Sequence, residues 1–102
     1  MHLPIEYYRT DLSINQTGQA LDASEGGLQI LFSEKIGIGQ NLKLKLFFSS
    51  DSELNAIEML VEVVWMNSQI DEGETHYRSG VRIVNISPED MTKLKDFLSN
   101  FP

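Results

Sequence analysis

The chain has 102 residues, 41% of them apolar and 23% charged, enough for one domain with a single core and unlike the composition of a disordered segment. It has no cysteine, which excludes a disulfide framework, a thiol nucleophile and a zinc-thiolate site, and no apolar run nears the roughly 20 residues that span a bilayer. Fifteen acids against eight bases leave a formal charge of -7, which argues against nucleic-acid polymers and anionic lipid, because affinity for both rests on cationic side chains.

The opening MHLPIEYYR has neither the basic start nor the long apolar middle of a secretory leader, so a cytoplasmic location and one domain over residues 1–102 are expected. Leu3, Ile5 and Tyr7 alternate and predict a first strand. Residues 16–21 predict a weaker second strand and residues 28–32 a third. Leu42, Leu44, Leu46 and Phe48 then stand two apart with Lys43 and Lys45 between them. A longer row follows, Ile57, Met59, Val61, Val63 and Trp65, interleaved with Glu58 and Glu62. Period two sends one row to the core and the other to solvent, so Trp65 is predicted inside. Residues 77–86 complete the strands, and the polar or glycine-rich stretches 33–41, 49–55 and 67–75 are predicted connections. Strands at hairpin spacing must bury a shared face, which a small barrel or a sandwich does economically.

Near the end the period changes. Ser87 can cap a helix, Pro88 suits its first position, and Glu89 and Asp90 favour the positive end of its dipole. Met91, Leu94, Leu98 and Phe101, joined by Phe97, recur at spacings of three and four and form an apolar stripe. That stripe is expected to close one mouth of a barrel; the alternative is a seam that pairs two copies into a homodimer.

Catalytic chemistry finds no support. His2 and His76 are the only histidines and form no metal-binding cluster. The acids Asp71, Glu72 and Glu74, and the pair Asp51 and Glu53, lie in short polar connections where solvated charge is expected. Gly37-Ile38-Gly39 is too short for a phosphate-binding loop, and Ser24 shows no sequence-level sign of a base that activates it. No enzyme, metal site or cofactor is expected.

The stretch LDASEGGLQI, residues 21–30, interrupts an apolar pattern with an acid, a serine and paired glycines. One reading is a strand connection in which glycine supplies a positive φ and Asp or Ser bonds nearby backbone. The other is a ligand site. Asp22 and Ser24 are two apart and share a face of an extended strand. A carboxylate accepts from an N–H pair such as a guanine's Watson–Crick edge, a hydroxyl donates to a phosphate oxygen, and Gly27 lets the backbone approach closely.

These residues carry a family resemblance. Asp22, Ser24 and Gly27 match the [D/N]-x-S-x-x-G motif of PilZ domains, bacterial receptor modules for cyclic di-GMP, and a short strand precedes the motif while GGLQI re-enters one. VEVVWMN resembles the family's tryptophan-bearing strand, and YRSGVRIVNISPEDMTKLKDFL its closing strand and C-terminal helix. The resemblance implies an all-β fold with a C-terminal helix, a six-stranded antiparallel barrel. It implies a noncatalytic role: Asp22, Ser24 and Gly27 bind cyclic di-GMP, and the signal passes to a protein partner or a fused effector domain.

One part of the family pattern is missing. Typical members carry R-x-x-x-R ahead of the first strand, where the arginines clamp phosphates and guanine edges. Here Arg9 is the only arginine before Asp22, Ser13 stands four residues on, and only Met1 and His2 precede Leu3. Binding is therefore expected to be weakened, with Arg9 and Arg78 the auxiliary candidates, while Arg82 and Arg78 also suit salt bridges to surface acids. The alternative is a nucleotide-independent adaptor acting through protein contacts, as in motility or pilus assembly.

Overall fold

The alternating rows close on themselves. In the computed structural model, which describes residues 2–9, 15–50 and 52–100, the strands β1 (Leu3–Arg9), β2 (Gln16–Ala23), β3 (Gly27–Phe32), β4 (Asn41–Ser50), β5 (Glu53–Asp71) and β6 (Glu74–Ile86) precede a helix α1 (Pro88–Ser99). The strands form a closed barrel in the order β1-β2-β3-β6-β5-β4, every pairing antiparallel. This is the all-β architecture expected from the sequence.

The core is the predicted inward row. Leu42, Leu44 and Leu46 of β4 pair with Val61, Met59 and Ile57 of β5, and all six are buried. Each such side chain contributes about 1.5–3 kcal/mol by leaving water. Helix α1 covers the mouth where β4 ends and β1 begins. Its stripe is used there: Leu94 and Phe97 are buried, Met91 and Leu98 pack partly against them, and the Phe97 ring lies 4.3 Å from that of Phe48. Phe101 lies outside the described residues. The cap forms as read, with the Asp90 N–H donating to Ser87 Oγ at 3.1 Å, and Asp90 Oδ2 accepts from the Glu58 N–H at 3.1 Å, pinning the helix start to β5. At the other mouth Ile36 is buried, its N–H directed at Met66 Sδ at 3.4 Å.

Two expectations are corrected. Residues 67–75 are not a loop: the β5–β6 ladder runs to Asp71↔Glu74 around a tight turn, with φ of 50° at Glu72 and 81° at Gly73. Positive φ at both central residues is the turn that matches strand twist, so the ribbon continues where polarity suggested a break. Trp65 does not continue the inward row. A bulge between Val63 and Trp65 inserts Val64, and the next side chain turns outward, against the outer face of Gly80. Of the predicted turn at 49–55 only two residues separate β4 from β5, and Asp51, one of them, lies outside the described residues.

Tyr7 is fully buried, edge-on to Phe32 at 4.8 Å, and its hydroxyl donates to Glu34 Oε1 at 3.2 Å. Burial first, then the charge and hydrogen bond of Glu34, push its phenol well above the ordinary value of 10.0, with Arg9 opposing. The folded state therefore holds this proton more tightly than the unfolded chain. Its contribution is complete below the unfolded phenol's pKa and is lost progressively as pH rises above about 10. Denaturant titrations between neutral pH and strong alkali are expected to show wild type losing stability in that window, with Tyr7→Phe flattening the decline; equal slopes for both would remove Tyr7 as its cause.

Candidate functional site

Alternation alone would send Asp22 inward behind the buried Ala20. The register prevents this: Ala20 pairs with Ile30, but Asp22 pairs with Gln29, leaving Leu21 as an extra residue. This bulge turns the Asp22 carboxylate to the outer face beside Gln29. Ser24 follows on the same exposed side. Its N–H donates to the Gly27 carbonyl at 2.9 Å, its hydroxyl donates to that carbonyl at 3.3 Å, and it accepts from the Gly26 N–H at 3.3 Å. The Gly26 carbonyl accepts from the Ile83 N–H at 3.0 Å, which ties the turn to β6.

Neither Gly26 nor Gly27 has a positive φ, so the conformational reading of the glycine pair is corrected. Gly27 is required for space. A Cβ there would run into the carbonyl oxygen of Val81, whereas a Cβ at Gly26 would meet nothing within 4 Å. The close approach inferred for Gly27 is thus an approach of β6.

The structure brings Asp22, Ser24 and Gly27 together around a shallow concavity of about 200 Å³, with Ala23, Leu28, Gln29 and Val81 completing its wall. Asp22 Oδ1 accepts from the Ala23 N–H at 2.8 Å, while Oδ2 has no partner among the described residues. Such a ledge can accept a pair of N–H groups at the carboxylate and present a hydroxyl to an anionic oxygen. Gln29 went unnoticed in the sequence, although it is the only polar side chain within the apolar run 28–32.

The arginines separate. Arg9 ends β1 opposite Leu42, whereas the ledge lies by the start of β1, where Leu3 pairs with Ala20. That is roughly 20 Å away along the strand. Arg9 is occupied there, donating to Glu34 Oε1 at 3.4 Å and to the Lys35 carbonyl at 3.2 Å. Arg82 faces outward opposite Gly27 but is held by Glu62 at 2.6 Å. Arg78 shares that outer face, opposite Leu31, and makes no ion pair among the described residues. Between the two arginines the Trp65 indole covers Gly80, which pairs with Gln29. One row therefore runs Asp22, Gln29, Gly80, Trp65 across four strands, with Arg78 beside it. This row depends on two bulges.

A second, larger cavity of about 540 Å³ lies over β1, β4 and β5, lined by Glu6, Tyr8, Lys43, Lys45, Glu58 and Asn85 among others. Its charges are mixed, and Lys45 pairs with Glu58 at 3.4 Å. His76 lies 3.7 Å from Glu74 near the hairpin tip, and no three His, Cys, Asp or Glu residues among those described form a metal-binding group. Among the described residues no helix is long and apolar enough to cross a membrane.

Comparison with known proteins agrees with this fold. The sequence model of the PilZ domain matches residues 1–100. No curated protein matches the sequence. Among solved structures, MrkH of K. pneumonia in its apo state superposes with a TM-score of 0.81 at 15% identity, over 98% of this chain and 46% of that one. The PilZ domain of Escherichia coli YcgR, solved with c-di-GMP, gives 0.70 at 15% identity over 92% and 76%. The Bacillus subtilis inhibitor of motility MotI gives 0.76 at 13% identity over 100% and 50%. The chain thus spans about half the length of MrkH and of MotI.

Proposed function

The chain belongs to the PilZ domain family, and on that premise we propose that it is a single noncatalytic module of the bacterial cytoplasm, which binds cyclic di-GMP at Asp22, Ser24 and Gly27 and relays the signal to a protein partner or a fused domain. The observation that carries this reading is the outward ledge: a carboxylate with a free oxygen and a hydroxyl, side by side at a shallow concavity. Among the similar structures, that of YcgR contains c-di-GMP. Gly27 acts by letting β3 and β6 close behind the ledge.

Binding by residues 1–102 on their own is weak in this reading, because residues 1–21 contain no R-x-x-x-R. A charge-assisted hydrogen bond contributes about 1.5–3 kcal/mol, so a missing clamp of several such bonds costs about three powers of ten in affinity. Among the described residues Arg78 is the one cation of this face left to meet a phosphate, since Arg82 is committed to Glu62.

Calorimetric titration with cyclic di-GMP, followed in parallel by amide chemical shifts, tests the assignment. Heat and shifts at Asp22, Ser24 and Gly27 are expected at high micromolar to millimolar ligand. Asp22→Ala and Arg78→Ala should each weaken binding about 10-fold or more, and Ser24→Ala somewhat less. A ligand that produces neither heat nor shifts leaves the second reading, a nucleotide-independent adaptor. Its specific support is local: Ser24 Oγ and Asp22 Oδ1 are already bonded to nearby backbone, as a purely structural turn requires.

A further inference from the structure

We propose that the chain self-associates through the free edge of β5, where Met66, Ser68 and Ile70 of one copy pair antiparallel with the same residues of a second copy about a two-fold axis at Ser68. The surface arises because β5 outruns the barrel. Its pairing with β4 ends at Asn41↔Glu62, and Gly39 and Gln40 extend it only to Val63. From Val64 to Asp71 the strand has β6 on one side and, among the described residues, no strand on the other.

The direction of the backbone groups follows from the hairpin. A two-residue turn makes Asp71 and Glu74 a hydrogen-bonded pair, so alternate residues back along β5 face β6. The Trp65 carbonyl lies on that side, accepting from Ser79 Oγ at 2.9 Å. The N–H and C=O groups of Met66, Ser68 and Ile70 therefore point to the open side. Such a row is a template for another strand, which replaces water on these groups.

The segment itself selects a second copy. Residues 64–70, VWMNSQI, carry no charge and no proline in a chain that is 23% charged, so beyond the bulge at Val64 neither a charge nor a proline blunts this edge. Met66 and Ile70 stand equally far from Ser68. A two-fold axis there sets Met66 opposite the second copy's Ile70, a residue that is 80% exposed in one copy, and sets Ser68 opposite itself. The acids Asp71 and Glu72 fall beside the uncharged Trp65 and Val64 of the other copy rather than beside its acids. The buried part of the α1 stripe, Leu94 and Phe97, packs on the barrel mouth, so the seam is assigned to this edge rather than to the helix. Each copy carries -7, so the dimer is weak at low ionic strength and gains from screening.

Sedimentation velocity over a concentration series, at low salt and at about 0.5 M salt, is expected to show a monomer–dimer equilibrium that salt shifts toward dimer. Ser68→Pro removes an N–H directed away from β6 and should raise the dimer dissociation constant at least about tenfold. Because the chain has no cysteine, Ser68→Cys supplies a second readout that does not depend on the proline variant folding. A hydrogen-bonded pair holds Cα atoms about 5.5 Å apart, within disulfide range, so mild oxidation should cross-link this variant and not Lys95→Cys on the exposed side of α1. A chain monomeric at every concentration and salt overturns the proposal. So does a dimer that folded Ser68→Pro leaves intact, or equal cross-linking of the two cysteine variants. None of these readouts uses cyclic di-GMP, so the ligand assignment stands or falls separately.

Discussion

Fusing a segment that carries R-x-x-x-R ahead of Leu3 is expected to tighten cyclic di-GMP binding by about three powers of ten. The geometry favours this. Leu3 pairs with Ala20, two residues before Asp22, so a segment added at the start of β1 emerges beside the ledge. Two arginines there add planar, bidentate, permanently charged donors to a site whose own groups are a carboxylate and a hydroxyl. The gain should shrink with added salt, because exposed phosphate contacts are screened. The same segment with alanine in place of both arginines should return the affinity of the unmodified chain, and Asp22→Ala in the fusion should lose much of the gain. If the arginine segment binds no more tightly than its alanine control, the ledge is not where the nucleotide sits.

Gly27→Ala carries the largest expected effect on stability. The added Cβ meets the Val81 carbonyl, which is backbone and cannot swing aside, so β3 and β6 must part at Gly27↔Arg82. In a closed barrel the neighbouring ladders resist that separation. Overpacking of this kind costs about 1–3 kcal/mol, here at the upper end, from a total near 5–15 kcal/mol for a domain of this size. Thermal unfolding should fall by roughly 10–20 °C. Gly26→Ala, one residue away with open space around its Cα, should change stability by less than about 1 kcal/mol. Matched melting curves for the two variants would mean that β6 does not approach Gly27 as described.

Much of the fold was legible because its signals are local. The rows in β4 and β5, the Ser87 cap and the stripe of α1 need only neighbouring residues and a repeat length to be read. Residues 67–75 misled because polarity marks exposure, and an exposed ribbon is as polar as a loop; Glu72-Gly73 is also a less direct turn signal than Asn-Gly. Trp65 misled for a different reason. Its place in the row was correct in sequence, but one inserted residue, Val64, reversed the face.

The candidate site divides in the same way. Asp22, Ser24 and Gly27 stood out in the sequence by residue type and spacing, and so did the want of an arginine pair before them. Sequence by itself determined the strand rows, the capped helix, the absence of thiol chemistry and the acidic balance, because composition and short-range periodicity suffice for each. Only the tertiary structure decided that Asp22 faces outward, that Gly27 answers to β6, that Arg82 is committed to Glu62 while Arg78 is not, and that Arg9 lies at the far end of the barrel. Each of those depends on pairing register between strands distant in the chain, and a bulge of one residue changes the face without leaving a mark in the local alternation.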